Sequence, residues 1–331
     1  MQLPDSLAGR LLGWYAAGHR ALPWREDHEP YHVWLSEIML QQTRVEAVKG
    51  YYARFLSELP DIAALAACEE NRLTKLWEGL GYYSRVRNLQ KAARVIMTQH
   101  GGEFPRDYAA IRALPGVGDY TAGAVCSIAL GIPAPAVDGN VLRILSRLYA
   151  DGSNVDDGAV RVKYAHLLRA VYPPETADFC EALMELGAIV CMPNGAPACG
   201  NCPWADVCRA HLAGREEAFP VRSEKKARRI VEATVCVLKC GEKYALEKRP
   251  AKGLLAGLWQ FPFFEGEAPD FGAPSAEKRA KHVFTHVEWH MRGKLIPVGE
   301  ELPPYVWATA YEISAIYALP SAFRAFLEWV K

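Results

Sequence analysis

The chain has 331 residues, of which 50% are hydrophobic and 23% charged, and its 38 basic and 38 acidic side chains give a formal net charge of zero. This length is sufficient for two domains with hydrophobic cores, and the balanced charge counts against a protein that coats nucleic acid non-specifically. No apolar run approaches a membrane span and the N-terminus lacks a signal-peptide pattern, so we expect a cytoplasmic protein with no membrane attachment.

The first 212 residues have helical periodicity and no strand pattern. Apolar spacing predicts a short helix over residues 6–18 and a longer one over residues 31–48. Proline and glycine separate the further amphipathic segments, which are 51–59, 61–68, 70–79 and 84–99. This half of the chain is therefore predicted to be all-helical.

A glycine-rich turn lies at the centre of the helical half, within residues 114–140. Pro115 fixes one backbone φ angle, and Gly116 and Gly118 permit geometry or close approach that a Cβ atom would hinder. A helix, this turn and a second helix would present backbone N–H groups at a helix N-terminus, which suits a DNA phosphate. Pro133 and Pro135 then end the second helix, and Asp138-Gly139-Asn140 begins another.

Two other positions in this half are open to an ordinary and a functional interpretation. Glu37 lies in the apolar segment SEIMLQQT, where it is either a surface glutamate or a desolvated carboxyl whose raised pKa lets it carry a proton near neutral pH. The turn Leu80-Gly81-Tyr82-Tyr83 holds either two half-buried tyrosines or a wedge that enters between base pairs.

Four of the nine cysteines cluster between residues 191 and 208. Their order is Cys191-x7-Cys199-x2-Cys202-x5-Cys208, and the other five are scattered singly. Such a cluster indicates a cofactor in a reducing compartment and not a disulfide framework. The spacing alone is compatible with zinc or with a [4Fe–4S] cluster.

The pattern changes after a polar, charged linker at residues 213–229. Alternating apolar residues over 231–237 predict a strand, and residues 244–248 are its expected hairpin partner. We predict a helix at 275–281, strands near 283–298 and 305–312, and a terminal helix at 320–330. The second half is therefore predicted to be an α+β domain.

Five stretches together resemble the adenine DNA glycosylases of the MutY family, which are helix-hairpin-helix base-excision enzymes: residues 20–25, 34–43, 77–88, 114–140 and 181–191. The resemblance implies a multidomain protein with an all-α catalytic domain over 1–212. Within it, a six-helix barrel would occupy about 25–130, and an iron–sulfur subdomain would combine 1–24 with 131–212. A linker at 213–229 and a nudix-like α+β lesion-recognition domain at 230–331 would complete the chain.

The resemblance also assigns catalytic roles. Glu37 matches the general acid that protonates adenine N7, and Asp138 matches the carboxylate that stabilises the oxocarbenium-like sugar. Tyr120 and Asn140 match residues that orient these two groups. Asp138, near a helix N-terminus, is expected to stay ionised, whereas Glu37 among apolar neighbours is not. Relatives with lyase activity carry a lysine where this chain has Tyr120, so a monofunctional glycosylase is predicted.

Substrate and cofactor contacts follow from the same resemblance. Trp24, Arg25 and Glu181 match the pocket for a flipped adenine, and Gly116 and Gly118 match the phosphate-binding hairpin. Gln42, Leu80 and Tyr82 match residues inserted into the base stack. Phe284, Thr285 and His286 occupy the place of a Phe-Ser-His loop that reads 8-oxoguanine. Cys191, Cys199, Cys202 and Cys208 match the ligands of a [4Fe–4S] cluster, although the first gap has seven residues where the family has six.

The expected partner is double-stranded DNA containing adenine opposite 8-oxoguanine or guanine, bound by a monomer. One alternative is a related glycosylase that acts on oxidised pyrimidines or mismatched thymine. Others are a non-catalytic lesion-binding or redox-signalling iron–sulfur protein, and an iron–sulfur electron carrier. The second domain and the Phe-Thr-His loop argue against the related glycosylase, and the presence of both Glu37 and Asp138 argues against a non-catalytic protein. An electron carrier is disfavoured because a single cluster in such a scaffold lacks an evident partner site. The second domain lacks the array of glutamates on one helix that holds Mg²⁺ in nudix hydrolases, so we expect it to bind and not to hydrolyse.

Overall fold

The computed structural model describes residues 6–224 and 227–331, so residues 1–5 of the predicted catalytic domain and 225–226 of the predicted linker lie outside the described part. The helices are α1 Ser6–Gly18, α2 Pro30–Leu40, α3 Val45–Glu58, α4 Ile62–Ala67, α5 Glu70–Leu76, α6 Ser84–Gln99, α7 Tyr108–Ala113, α8 Asp119–Leu130, α9 Gly139–Tyr149, α10 Gly158–Arg169, α11 Thr176–Glu185, α12 Arg209–Leu212 and α13 Ala310–Ala315. Among the residues described, none of these helices has the length and apolar character needed to cross a bilayer.

The described chain divides into two compact units. The first contains everything up to Ala67 together with Asn88–Glu224, and the second contains Cys68–Arg87 together with the chain from residue 227 onward. Helix α5 and the turn that carries Tyr82 therefore belong to the unit that contains the sheet. Helices predominate in the first unit, as predicted, and its described residues include no strand longer than the isolated bridge between Asn154 and Val221.

The helix predicted over residues 31–48 is wrong in its length. Helix α2 ends at Leu40 and α3 begins at Val45, with a turn of four residues between them. Gln42 in that turn has a left-handed φ of 57°, which no α-helix accommodates. The apolar spacing continues across the break because both helices bury a face, and spacing alone therefore concealed the turn.

One core of the first unit is built where α1 meets α9, α10 and α11. The buried side chains in this cluster include Leu11, Tyr15, Leu145, Tyr164 and Phe179. Residues near the end of the unit also pack inward, because Phe219 is buried and the Val155 N–H donates to the Val221 carbonyl at 3.0 Å. The segment 213–224, predicted as part of a linker, is thus joined to the helical unit.

The second unit is a mixed sheet with apolar clusters on both faces. Its strands are β1 Arg229–Cys240, β2 Lys243–Lys248, β3 Trp259–Gln260, β4 Phe263–Glu265, β5 Ala276–Val283, β6 Val287–Pro297 and β7 Val306–Thr309. The main order is β3-β2-β1-β6-β5, with β4 paired to β1 and β7 to β2. Among the strands in the described part of the chain, β1 and β6 pair in parallel and the other pairings are antiparallel. Alternate residues of β1 face opposite clusters, with Val235 and Val237 on one side and Cys236 and Leu238 on the other.

The helix predicted at residues 275–281 is wrong, because this segment is strand β5. Its side chains alternate between half-buried and exposed, and the strand pairs with β6 from Ala276 opposite Leu295 to Val283 opposite Glu288. Alanine, glutamate, lysine and arginine favour helix locally, but pairing with β6 decides the conformation. The strand predicted at 305–312 ends at Thr309, which caps α13, and the terminal helix, Ser321–Trp329, is of the 3₁₀ type.

Candidate active site

Glu37 is carried into the first unit by α2. Pro30 occupies the first turn of that helix and the Glu29 carboxylate accepts the Tyr31 N–H at 2.6 Å, so the helix start is capped. Helix α2 packs against α8, which carries Tyr120. This packing leaves Glu37 with only 4% of its surface exposed. The carboxyl is therefore buried, and the interpretation of Glu37 as a surface residue is excluded.

The glycine turn before α8 has one glycine that is sterically required. Gly116 has a φ of 77°, and a Cβ atom there would lie 2.6 Å from the Asn88 Cβ. Gly118 has nothing within 4 Å of its Cβ position, and it precedes α8 without any side-chain cap. The first N–H groups of α8 are consequently not capped by the residue before them, as a site for an anion requires.

Asp138 is the N-cap of α9 and holds its carboxylate in place with two hydrogen bonds. The Val141 N–H donates to Oδ1 at 2.8 Å, and the Asn140 side-chain amide donates to Oδ2 at 2.7 Å. Arg143 in turn donates to the Asn140 Oδ1 at 2.7 Å and to the Cys191 carbonyl at 2.7 Å. Gly187 allows this arrangement, since a Cβ there would lie 2.5 Å from the Asn140 Cβ.

The protonation of Glu37 follows from its surroundings. Burial raises the pKa of Glu37 to about 7, the Tyr120 hydroxyl lowers it, and the charges of Asp138 and Glu181 raise it. Its Oε2 atom is buried and has no hydrogen-bond partner among the residues described. The pKa of Tyr120 is raised well above its usual value by burial and then by Glu37 and Asp138. The Tyr120 hydroxyl and the charge of Asp138 thus both act on the Glu37 carboxyl.

Asp138 differs from the expectation based on its helix position. Burial raises the pKa of Asp138, whereas the N–H groups of Val141 and Asn140 and the charge of Arg143 lower it. Burial is the largest of these influences, so the hydrogen bonds at the start of α9 reduce the upward shift in the pKa of Asp138 but do not reverse it. The ionised state of Asp138 stays a prediction.

Arg25 and Glu181, both predicted to contact a flipped base, belong to a buried ion network. Arg25 lies 3.6 Å from Glu181 and donates from Nη2 to Glu185 at 3.0 Å. Arg20 donates from Nε to Glu185 at 2.7 Å, and the Tyr15 hydroxyl donates to Glu181 at 2.5 Å. Burial raises the pKa of Glu181, while the pKa of Glu185 is lowered by the hydrogen bond from Arg20 despite its burial.

The remaining predicted contact residues divide between the two units. Trp24, in the first unit, is buried edge-on against Tyr52, with ring centroids 5.8 Å apart, and Gln42 is exposed on the turn after α2. In the second unit, Tyr82 and Thr285 are exposed and their hydroxyl oxygens are 2.9 Å apart. Leu80 is buried, Phe284 packs on Trp289 with centroids 4.9 Å apart, and His286 is exposed.

The four clustered cysteines line one cavity of about 30 Å³. An Arg147 N–H donates to the Cys191 sulfur at 3.3 Å, and the Trp204 backbone N–H donates to the Cys202 sulfur at 3.4 Å. Burial, together with the neighbouring cysteines, raises the pKa of Cys202 to about 12. Four thiolates at this place therefore need positive charge between them, which a metal or iron–sulfur centre supplies. The donors fit such a group.

Several contributing residues were not predicted from the sequence. Glu185 lies four positions after Glu181 on α11, so helical spacing could have placed both carboxylates on one face. Tyr15, Arg20 and Arg147 carried no such signal, because their partners are distant in sequence. Cys199, His211 and Glu216 offer donor atoms within 4.8 Å of one another at the same cavity, a second metal-compatible group.

Family models match two separate ranges of the chain. Residues 35–169 match the HhH-GPD superfamily base excision DNA repair protein model, and residues 233–329 match a NUDIX domain. The chain is 37% identical over 309 residues to a human adenine DNA glycosylase, covering 77% of this chain and 56% of the human protein. It thus spans just over half the length of that relative.

Two further matches define the family. The chain is 34% identical over 259 residues to the adenine DNA glycosylase of Buchnera aphidicola, covering 77% of this chain and 72% of that protein. A solved thermostable thymine-DNA glycosylase aligns with a TM-score of 0.57 at 29% identity, over 63% of this chain and 96% of that one. The helical fold, the two domain matches and the extent of the identity place this chain in the adenine DNA glycosylase family.

Proposed function

We propose that this protein is a monofunctional DNA glycosylase that removes adenine opposite 8-oxoguanine or guanine from double-stranded DNA, in base excision repair. The single observation that supports it most strongly is the Glu37 carboxyl: buried, with a pKa of about 7, one oxygen without a hydrogen-bond partner among the described residues, and in the same site as Asp138. A carboxyl in this condition is suited to give a proton to a buried base.

The reaction would begin with Glu37 protonated and Asp138 ionised. Transfer of the Glu37 proton to adenine N7 would make the base a better leaving group, and the bond between C1′ and N9 would break with its electrons going to adenine. The sugar would acquire positive charge, which the Asp138 carboxylate is placed to stabilise. Water would then add at C1′ and return its proton to Glu37, leaving an abasic site and free adenine.

Because the reacting bond is covered inside duplex DNA, the adenine would have to leave the base stack. Extrusion into a protein pocket solves this access problem at the cost of unstacking and unpairing. Trp24, Arg25 and Glu181 are our candidates for the pocket walls. The uncapped start of α8 behind Gly116 and Gly118 is the candidate site for a backbone phosphate.

Recognition of the opposite base is proposed for the second unit. Tyr82 and Thr285 are exposed there and in mutual contact, and Phe284 and His286 flank Thr285. Tyr82 would enter the stack beside 8-oxoguanine, and the Thr285 hydroxyl would contact the oxidised base. Gln42 and Leu80 would support the opened duplex. The nudix-like unit would thus bind the lesion without hydrolysing a nucleotide.

Tyr120 supports a glycosylase without lyase activity. A lysine amine can form an imine with the sugar and lead to strand cleavage, whereas a phenol cannot form one. The Tyr120 hydroxyl instead acts on the pKa of Glu37. Borohydride trapping of the enzyme on DNA through an imine would disprove the monofunctional assignment.

The cysteine cavity is proposed to hold a [4Fe–4S] cluster bound by Cys191, Cys199, Cys202 and Cys208. When bound, such a cluster would supply four covalent links that fix the loop between α11 and α12. Arg147 and the Trp204 N–H would donate hydrogen bonds to its cysteine sulfurs. We also propose that the protein acts as a monomer.

The proposal is tested by incubating the full chain with duplexes that hold adenine opposite 8-oxoguanine, guanine or thymine, and a guanine–thymine duplex. Free base and abasic sites are measured in each. Release of adenine, fastest opposite 8-oxoguanine and slower opposite guanine, is expected. Release of thymine from the guanine–thymine duplex with no release of adenine would contradict it.

A further inference from the structure

The turn that carries Tyr82 has an unusual backbone. Three of its residues have left-handed φ angles: Gly79 at 103°, Gly81 at 70° and Tyr82 at 45°. Glycine adopts this region readily, but an aromatic residue seldom does. The Tyr82 side chain is also 48% exposed, so its own burial does not hold the turn in shape. Some other group must stabilise the conformation.

Arg85, at the start of α6, contacts this turn in two ways. Its Nη2 atom donates to the Leu80 carbonyl at 2.9 Å and to the Gly81 carbonyl at 3.1 Å. Its guanidinium carbon lies 5.2 Å from the centre of the Trp77 ring and 5.7 Å from the centre of the Tyr82 ring. The flat cation thus joins the turn's main chain to the aromatic side chain that projects from it.

Trp77 also supports the turn. Its indole N–H donates to the Gly81 carbonyl at 3.0 Å, so this carbonyl accepts from both Trp77 and Arg85. All of these residues lie between Trp77 and Arg85 in the second unit. The support is therefore local, and it holds the residue just before Tyr82.

Arg85 is itself in an unfavourable place for a cation. Only 9% of its surface is exposed, and burial lowers the pKa of Arg85 to about 10, so it still carries its charge at neutral pH. Burying a charge is costly unless its hydrogen bonds are satisfied. Two carbonyl oxygens of the turn accept hydrogen bonds from Nη2, and the centres of two aromatic rings lie 5.2 Å and 5.7 Å from the guanidinium carbon, so part of the stabilisation of this cation depends on the conformation of the turn.

We propose that Arg85 is a positioning residue that sets Tyr82 as a preformed wedge for insertion into duplex DNA. The proposal rests on the proposed function, in which Tyr82 is the inserted residue. Opening a base stack is costly, and a wedge that is already ordered spends less of its binding energy on its own ordering. Arg85 acts through Tyr82, and the bond-breaking chemistry stays with Glu37 and Asp138.

The test uses the full chain with Arg85→Met, Arg85→Lys and the control Lys91→Met, which removes an exposed cation from the same helix. Single-turnover release of adenine opposite 8-oxoguanine is measured on a fully paired duplex and on one with mismatches flanking the adenine, where extruding the base costs less free energy. On the paired duplex both Arg85 variants should lose about 10- to 100-fold, and on the mismatched duplex less than about threefold. The control should match the wild type on both.

Two results would overturn the proposal: equal losses on both duplexes, or full activity of Arg85→Lys, because a lysine keeps the charge without the planar double contact. Thermal unfolding of each variant verifies folding, and Arg85→Lys carries the test if Arg85→Met does not fold. A duplex with 2-aminopurine beside 8-oxoguanine gives a readout without turnover. Its fluorescence should rise on binding wild type and rise less with either Arg85 variant, so Arg85 is judged even if no adenine is released.

Discussion

At the scale of single residues, the buried carboxyl of Glu37 has a cost to stability and, under the proposed function, an advantage for catalysis. Its pKa is raised by burial to about 7, so the folded protein holds this proton at a pH where the unfolded chain has lost it. Stability from this group is therefore present at low pH and is lost as the pH rises through about 7. In the proposed reaction, the acid form of this buried carboxyl is the group that protonates the base.

Glu37→Gln tests both the effect of this residue on stability and its proposed role in the reaction. Glutamine keeps the shape and removes the acid, so adenine release should fall by about 10²-fold or more while binding of the lesion duplex is retained. At neutral pH the free energy of unfolding should rise by about 1–3 kcal/mol, because glutamine does not ionise and folding no longer buries a carboxyl that is charged in the unfolded chain. Single-turnover assays, duplex titration and denaturant unfolding measure these three quantities. Undiminished adenine release would remove Glu37 from its proposed role.

At the scale of elements, helix α8 fixes the loop that ends in Asp138. The Ser127 hydroxyl donates to the Ala134 carbonyl at 2.6 Å, and Gly123 lies directly against the main chain of Pro135. A Cβ atom at Gly123 would be 2.6 Å from the Pro135 carbonyl oxygen, a distance that a rigid main chain cannot relieve easily. The position of the Asp138 carboxylate thus depends on a contact between a helix and a loop.

Gly123→Ala should move this loop. We expect a loss of about 1–3 kcal/mol in unfolding free energy and a larger proportional loss of adenine release than of duplex binding. The matched control is Gly158→Ala at the start of α10, where a Cβ atom would meet nothing within 4 Å. Denaturant unfolding and single-turnover rates compare the two. A Gly123→Ala protein as stable and active as the control would contradict this account.

The proposed cluster in the cysteine loop predicts the metal content of the purified protein. Protein purified without oxygen should contain about four iron and four sulfide ions per chain, the content of a [4Fe–4S] cluster. Cys202→Ala should lower this content and the visible absorbance together. Metal analysis of both proteins is the measurement. One zinc ion per chain with no iron would favour the alternative that the cysteine spacing left open.

The elements also indicate how far sequence could predict this protein. The glycine turn at Gly116 and the capping role of Asp138 were predictable because a local φ angle and a short hydrogen bond define them. Strand β5 was not, since a partner strand decides its conformation, and the break at Gln42 was not, because apolar spacing continues across it. The sequence indicated Arg25 and Glu181 through resemblance alone, because Arg25 is distant in sequence from both of its acidic partners. Glu185 was missed although it lies four positions after Glu181 on the same helix.

At the scale of the whole molecule, the segment Cys68–Arg87 belongs to a compact unit with a sheet that begins about 140 residues later in the sequence. Lys75 donates to the Ile313 and Tyr317 carbonyls at 3.3 Å and 3.2 Å, and the Leu319 N–H donates to Glu78 at 2.8 Å. The division of the chain in space therefore differs from its division in sequence. Tyr82 and Thr285 are brought together within that unit.

Glu78→Ala tests this integration. The buried N–H of Leu319 would lose its acceptor, so the second unit should lose about 1–3 kcal/mol of stability, and the preference for 8-oxoguanine over guanine opposite adenine should decline. Glu242→Ala removes an exposed glutamate from the same unit and serves as the control. Thermal unfolding and the ratio of the two excision rates are measured. If the Glu78→Ala protein is destabilised but the ratio is unchanged, the packing of the segment Cys68–Arg87 does not influence the preference for 8-oxoguanine.

The most direct measurement of the central claim is the single-turnover rate of adenine release as a function of pH. With Glu37 as the acid, the rate should fall as the pH rises through about 7, because Glu37 then loses to solvent the proton that it would give to adenine. At low pH it should fall again as Asp138 becomes protonated. A rate that keeps rising above pH 7, or a limb near pH 7 that persists in Glu37→Gln, would contradict a protonated Glu37 working opposite an ionised Asp138.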